Sequence, residues 1–456
     1  MLGSRALASL IPGCSNFSIQ YNYACASIAV AIMLTHNDGP AEHGLKRDYP
    51  EPAWAKDMLF AVVFIGSVVG MLTMGYLGSA IGCNRALVIT NSFIVGGAFV
   101  SAALSWGTVE SIWEIIALSR FVLGIGVGGL YPLSAAKAAE SAGANDRDEA
   151  VASAGRAFFW QGPGSMTPYV IAALLLQLPH VDGITSIQFR VLLGMGSLPA
   201  LVVLLASISD ASVITDSVEQ PVRPVRDDGG AGTLRLALSR REHWHALAGT
   251  AGTWFLFDIA FYGTVIFSPS ILKEIFGSHQ SVLTVALEGA LMGGIATLST
   301  AAGLAALPYV GPKNLNIIGL GLSSVLFGFF ALTRARYGEY HKTLFAQLCC
   351  VMMTLYAGPN VATFVLPVKA FPDEVRSVFH GLSAAAAKVG AMVGTLMFPL
   401  VKRRFGGVES VMIVQSLLCM AGALLSACCL TGDLSYQNIA EHRTEAVELG
   451  RGADAS

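Results

Sequence analysis

The chain has 456 residues, of which 54% are hydrophobic and only 13% charged, and its mean hydropathy is +0.61. Soluble domains carry about a quarter charged residues, so a chain this apolar cannot cover itself with a water-compatible surface. It reads as an all-α membrane protein embedded in the lipid bilayer. The net charge of -2, with no long basic run, argues against a nucleic-acid partner. The eight cysteines lie mostly in or beside apolar stretches, and Cys349–Cys350 and Cys428–Cys429 are adjacent rather than spaced as ligands. No disulfide framework, metal site or cofactor is expected.

A membrane-spanning helix needs about 20 mostly apolar residues. The first such stretch runs near 12–34. It lacks a small-residue cleavage site followed by a polar region, so it reads as a span and not as a signal peptide. Others follow near 57–78, 84–106, 110–136, 152–177 and 188–209. After a polar stretch, six more lie near 246–272, 282–308, 314–333, 343–368, 377–401 and 407–430. The expected organisation is an N-terminal six-helix bundle over 1–209, a cytoplasmic linker over 210–245, a C-terminal bundle over 246–432 and a polar cytoplasmic tail over 433–456. Transporters built from two such halves bind substrate near mid-membrane between them. No sequence repeat between the halves is evident. Loop Lys and Arg residues follow the positive-inside rule weakly in the first half. They fail it in the second, where Arg334, Arg336, Lys342, Lys402, Arg403 and Arg404 fall outside. The linker arginines Arg223, Arg226, Arg235, Arg240 and Arg241 place both termini in the cytoplasm.

Charges at the centre of a membrane cost about 2.5–3.5 kcal/mol each on insertion scales and are functional candidates. Three lie well inside spans: Arg120 in the fourth, Asp258 in the seventh and Lys388 in the eleventh. Sharing one cavity, they would make it cationic and attract an anion. The plainer alternative is a structural ion pair of Asp258 with Lys388 or Arg120. In the seventh span, Trp254, Asp258 and Tyr262 are spaced by four and share one helix face, a plausible ligand wall. In the fourth, Arg120 and Tyr131 share a face, and Gly124 and Gly128 permit close helix approach. The surrounding glycines look like a dinucleotide fingerprint, but they stand inside an apolar span with no preceding strand, so that reading is rejected. Gln161 in the fifth span and Asn360, just after Gly358-Pro359 in the tenth, are either ligands or helix-to-helix hydrogen-bond donors. Lys388 follows Ala384 to Ala387 and precedes Gly390, a small-residue surface that leaves room for a cation to reach a cavity.

Four stretches carry a family resemblance: RFVLGIGVGGLYPLS at Arg120–Ser134, WFLFDIAFYG at Trp254–Gly263, GPNVATFVLP at Gly358–Pro367 and FHGLSAAAAKVGA at Phe379–Ala391. In this order they resemble the phosphate:proton symporters of the major facilitator superfamily, known from fungi and plants. With the span layout, the likeness covers most of the chain. It implies the major facilitator fold, twelve transmembrane helices in two six-helix bundles. It also implies phosphate ligands at Tyr131, Gln161, Trp254, Asp258, Tyr262, Asn360 and Lys388, with Asp258 and Arg120 in proton coupling. The loop GYLGSAIGCNR matches the superfamily gating motif at Gly75, Gly78, Gly82 and Arg85, with Ser79 for the usual Asp. Further departures are Leu130 for an acidic residue, Lys369 for a common Glu, and Gln20, Tyr21 and Asn22 where a first-helix carboxylate is usual.

The expected function is secondary active transport of inorganic phosphate by alternating access, with a proton, or sodium, as coupling ion. A carrier for another anion, such as an organic phosphate or a carboxylate, stays open as an alternative, as does an anion-binding sensor with little transport. No catalytic triad, zinc spacing or P-loop is present, so no enzyme is expected. The expected location is the plasma membrane, with an organelle membrane as the alternative.

Overall fold

The computed structural model of the chain describes residues 4–34, 49–52, 54–141, 147–179, 183–216, 241–276, 281–338 and 340–430. Regular structure among them is entirely helical. The first half holds α1 (Ser4–Leu34), α2 (Ala55–Ile81), α3 (Cys83–Phe99), α4 (Val109–Ser141), α5 (Arg147–Phe159), α6 (Gln161–Leu175), α7 (Ile184–Met195) and α8 (Ser197–Asp216). The second half holds α9 (Arg241–Val265), α10 (Ser268–Phe276), α11 (Val282–Val310), α12 (Pro312–Tyr337), α13 (His341–Ala357), α14 (Pro359–Ala370), α15 (Asp373–Phe405) and α16 (Gly407–Cys429).

Ten stretches among the described residues are long and apolar enough to cross a membrane. Two others, α5 with α6 and α9, stand at the fifth and seventh places of the expected twelve. These two carry Gln161, and Trp254, Asp258 and Tyr262. Polar groups turned to a site lower the hydropathy of the helix that presents them. Large apolar side chains such as Leu298, Leu332, Leu400 and Leu417 stand exposed on the outer surface, where lipid rather than water suits them.

Several spans are broken and not continuous helices. The fifth turns at Trp160, and Pro163 then sits in the first turn of α6, where its missing N–H has no helical acceptor to lose. The sixth breaks at Gly196. The tenth breaks at Gly358 (φ -95°, ψ -97°), with Pro359 opening α14. The seventh ends at Val265, and α10 is a separate short helix. One π-helical turn, Val100–Leu104, closes the third. Helix also covers 210–216 and 241–245, so both ends of the expected linker are helical; its middle, 217–240, and the tail at 433–456 lie outside the described residues.

Small residues set the distances between helices. A Cβ on Gly70 of α2 would collide with the Ile125 carbonyl, and one on Gly128 of α4 with the Ser67 carbonyl. In the second half, Gly390 and Gly394 of α15 lie in the same way on the Phe255 and Ile259 carbonyls of α9. This second contact brings Lys388 against Asp258. The halves touch through small residues too. Gly381 of α15 meets Met71 of α2, Ser377 Oγ donates to Gly75 O at 3.1 Å, and Gly289 and Gly293 of α11 face Tyr169 and Met166 of α6.

A repeat hidden from the sequence is visible in the backbone. Gly82, between α2 and α3, has φ 91° and ψ 148°; Gly311, between α11 and α12, has φ 75° and ψ 155°. Each N–H bonds four residues back, to Gly78 O and Leu307 O. The second and third spans of each half are therefore joined by the same turn, in a region that only glycine adopts readily.

Candidate functional site

Lys388 Nζ lies 3.0 Å from Asp258 Oδ2 and donates to Tyr262 OH at 2.8 Å, and both charged side chains are 2% exposed. The ammonium stands 4.4 Å from the Tyr262 ring centroid, 5.1 Å from that of Tyr131 and 5.6 Å from that of Tyr23. A cation on α15 is thus enclosed by aromatic faces from α9, α4 and α1, so both halves of the molecule contribute. Trp254 lies one helical turn before Asp258 on α9, and the rings of Tyr131 and Tyr262 both face the Lys388 ammonium. Trp254 also stands 6.3 Å from Tyr131, centroid to centroid. Tyr23 is held by Ser67 Oγ at 2.7 Å and by Phe64, whose ring also meets Tyr262 edge-on at 5.2 Å.

Five of the expected ligands, Tyr131, Trp254, Asp258, Tyr262 and Lys388, therefore form one cluster. Asp258 and Lys388 pair directly. The pair has no net charge while the carboxylate is ionised, and one positive charge once it is protonated. Gln161 belongs to an amide chain that ties α6 to α1 and, through Asn16, to α4. Its Nε2 donates to Asn16 Oδ1 at 2.7 Å, and its Oε1 accepts from Gln20 Nε2 at 2.9 Å. Asn16 reaches Ser134 Oγ at 3.3 Å, one turn beyond Tyr131. Asn360 is half-buried at the second position of α14, outside the contacts that surround Lys388.

Arg120 does not join Asp258. It is fully buried, donates to the Asn22 carbonyl and contacts Cys25 Sγ at 3.5 Å. It precedes Tyr131 by eleven residues, about 16 Å along the helix axis. Expectation and structure part here because a shared helix face says nothing about depth.

The superfamily profile described as Major Facilitator Superfamily matches residues 13–395. The chain belongs to this superfamily. Within it, the chain is 32% identical over 425 residues to Inorganic phosphate transporter PT2 of Toxoplasma gondii, covering 91% of this chain and 70% of that protein. It is 27% identical to Probable inorganic phosphate transporter 1-7 of Arabidopsis thaliana, covering 86% and 81%. These relatives put it in the phosphate-transporter family of the major facilitators. The solved structure of the proton:xylose symporter XylE bound to 6-bromo-6-deoxy-D-glucose shares the fold alone, with a TM-score of 0.71, 17% identity and 92% and 94% coverage.

The residues that resemble the facilitator gating motif lie at the end of α2 and the start of α3. Gly75 O accepts from Ser377 across the halves, Gly78 packs on Leu133, Gly82 makes the turn, and Arg85 is exposed. Ser79 at the motif's acidic position bonds back to Gly75 O at 3.4 Å.

Sequence reasoning missed Asn16, Tyr23 and His380. The first two were readable: Asn16, Gln20 and Tyr23 are spaced by four and three and form one polar stripe on an apolar helix. Tyr21 and Asn22, singled out instead, turn to α7 and the Gly196 carbonyl. His380 lies within a quoted stretch, its Nε2 3.1 Å from Phe364 O and its ring 5.8 Å from Trp254.

Proposed function

We propose that this integral, multi-pass membrane protein carries inorganic phosphate across its membrane by alternating access, with the substrate held at Lys388 and Asp258. One observation carries the reading. A buried ammonium–carboxylate pair sits where tyrosines of both halves meet, so a ligand bound there touches both. The names of the relatives at 32% and 27% identity support phosphate as that ligand.

Dihydrogen phosphate matches the groups present. Its unprotonated oxygens accept from Lys388, the Tyr131 and Tyr262 hydroxyls and the Gln161 amide. Its own O–H groups donate to the Asp258 carboxylate. Sulfate, fully deprotonated at neutral pH, has no hydrogen to give, and a buried polar group left unmatched costs about 1–3 kcal/mol. Asp258 is also our candidate for the coupling proton, because protonation leaves the Lys388 charge uncompensated and so favours the anion. Arg120, paired with backbone and thiol, holds a fixed charge between α4 and α1. We place the carrier in the plasma membrane.

The direct test is uptake of radiolabelled phosphate by proteoliposomes under an imposed pH gradient, with and without sodium. Uptake driven by the pH gradient alone is expected, as is its loss in Asp258→Asn and Lys388→Ala. Undiminished uptake by both variants would end the proposal, and a strict requirement for sodium would replace the proton as coupling ion.

A further inference from the structure

We infer that Asn16 and Gln20 are positioning residues that set the direction of the Gln161 amide, so that it offers the bound anion a hydrogen-bond donor and not an acceptor. The inference rests on the phosphate reading above and extends it to two residues of α1.

A side-chain amide can be turned either way, and its orientation follows from its partners. Here one partner permits no choice. A backbone carbonyl only accepts, and Asn16 meets the Pro12 carbonyl at 2.9 Å, so Nδ2 must point there. Asn16 Oδ1 is then directed at α6, where it accepts from Gln161 Nε2 at 2.7 Å. Gln161 Oε1 is left facing Gln20, which donates at 2.9 Å. Reversing any one amide sets oxygen against oxygen or nitrogen against nitrogen. Asn16 is completely buried and Gln161 is 4% exposed, so a mismatch between these two has no bulk water to relieve it. The Ser134 hydroxyl, 3.3 Å from Asn16 Nδ2, can accept or donate and imposes nothing.

The result is a one-way chain from Gln20 through Gln161 and Asn16 to a fixed carbonyl. In it the Gln161 oxygen is used, while the Gln161 nitrogen keeps a second hydrogen. Next to an anion that asymmetry matters, since an amide oxygen turned inward would repel phosphate. The first-half wall thereby presents donors, Tyr131 and Gln161. The acceptor for the O–H of phosphate remains Asp258.

The test is phosphate uptake by the full chain in proteoliposomes, comparing Asn16→Leu, Gln20→Leu and Gln161→Leu with each first-helix variant combined with Gln161→Leu. Asn16→Leu and Gln20→Leu should each raise KM for phosphate by about three- to tenfold with kcat nearly unchanged. Neither should add to the loss in Gln161→Leu, because the amide they orient is gone. Should the fully buried Asn16→Leu fail to fold, half-buried Gln20 reads the other end of the chain. An unchanged KM in the single variants, or losses that add to those of Gln161→Leu, overturns the inference. So does a normal KM in Gln161→Leu while Lys388→Ala abolishes uptake, an outcome that leaves the Lys388–Asp258 site standing. Wild-type protein that takes up no phosphate removes both.

Discussion

Lys388 is the residue on which the site turns, and its surroundings state what it can do. Its charge is held at 3.0 Å from Asp258 inside a cage of tyrosines, with almost no water contact. Breaking such a pair from one side leaves the other charge buried and unpaired, at about 3–5 kcal/mol. Lys388→Ala should therefore abolish uptake and also lower the melting temperature in detergent. Asp258→Asn has a different expected outcome: the amide can donate to sulfate, which the carboxylate repels. Sulfate should then compete for phosphate binding at least about tenfold better than in wild type, measured by displacement of labelled phosphate. Both charged residues were legible from the sequence, because a charge inside an apolar span demands a reason. Tyr23 was not singled out, since a tyrosine in a helix is as often packing as ligand and only the helices packed against it reveal its partners. Arg120 was legible as a charge inside a span and as one of two possible partners of Asp258; its contact with Asn22 and Cys25 instead depends on its depth in α4.

Among the helices, glycines at intervals of four decide which faces meet. Gly394 of α15 lies on the Ile259 carbonyl of α9, one residue from Asp258. Gly394→Leu should push the two helices apart and weaken the Lys388–Asp258 contact. Overpacking of this kind costs about 1–3 kcal/mol, visible as a lower melting temperature together with weaker phosphate binding. Gly82→Ala and Gly311→Ala test the paired turns. Each should cost about 1–3 kcal/mol through its positive φ, without changing KM for phosphate, because neither turn touches the site. The spans were legible because apolar length is a local property. The breaks at Trp160 and Gly196 were not, since each depends on how the next helix packs. The break at Gly358-Pro359 was half-legible, a proline being a weak point wherever it falls.

For the whole molecule, alternating access requires the two halves to move about the site, and small residues line the contacts that must part. Gly381 rests on the Met71 carbonyl of α2, and Gly75 accepts from Ser377. Gly381→Leu should wedge α15 from α2 at that end and hold it open. Phosphate binding should then survive within a few-fold while uptake falls by about tenfold or more. Equal loss of binding and uptake would show instead that the contact maintains the site itself.

Composition and periodicity alone determined that this chain is a helical membrane protein and that its buried charges matter, because lipid penalises polar groups whatever the fold. Motif order pointed to the family, and the likeness to the phosphate transporters agrees with it. Only the tertiary structure decided that Asp258 meets Lys388 and not Arg120, that α1 supplies Asn16, Gln20 and Tyr23, and that the two halves share a turn their sequences do not display. Those facts depend on the depth and rotation of helices far apart in the chain, which close packing of the whole bundle sets and no local pattern encodes.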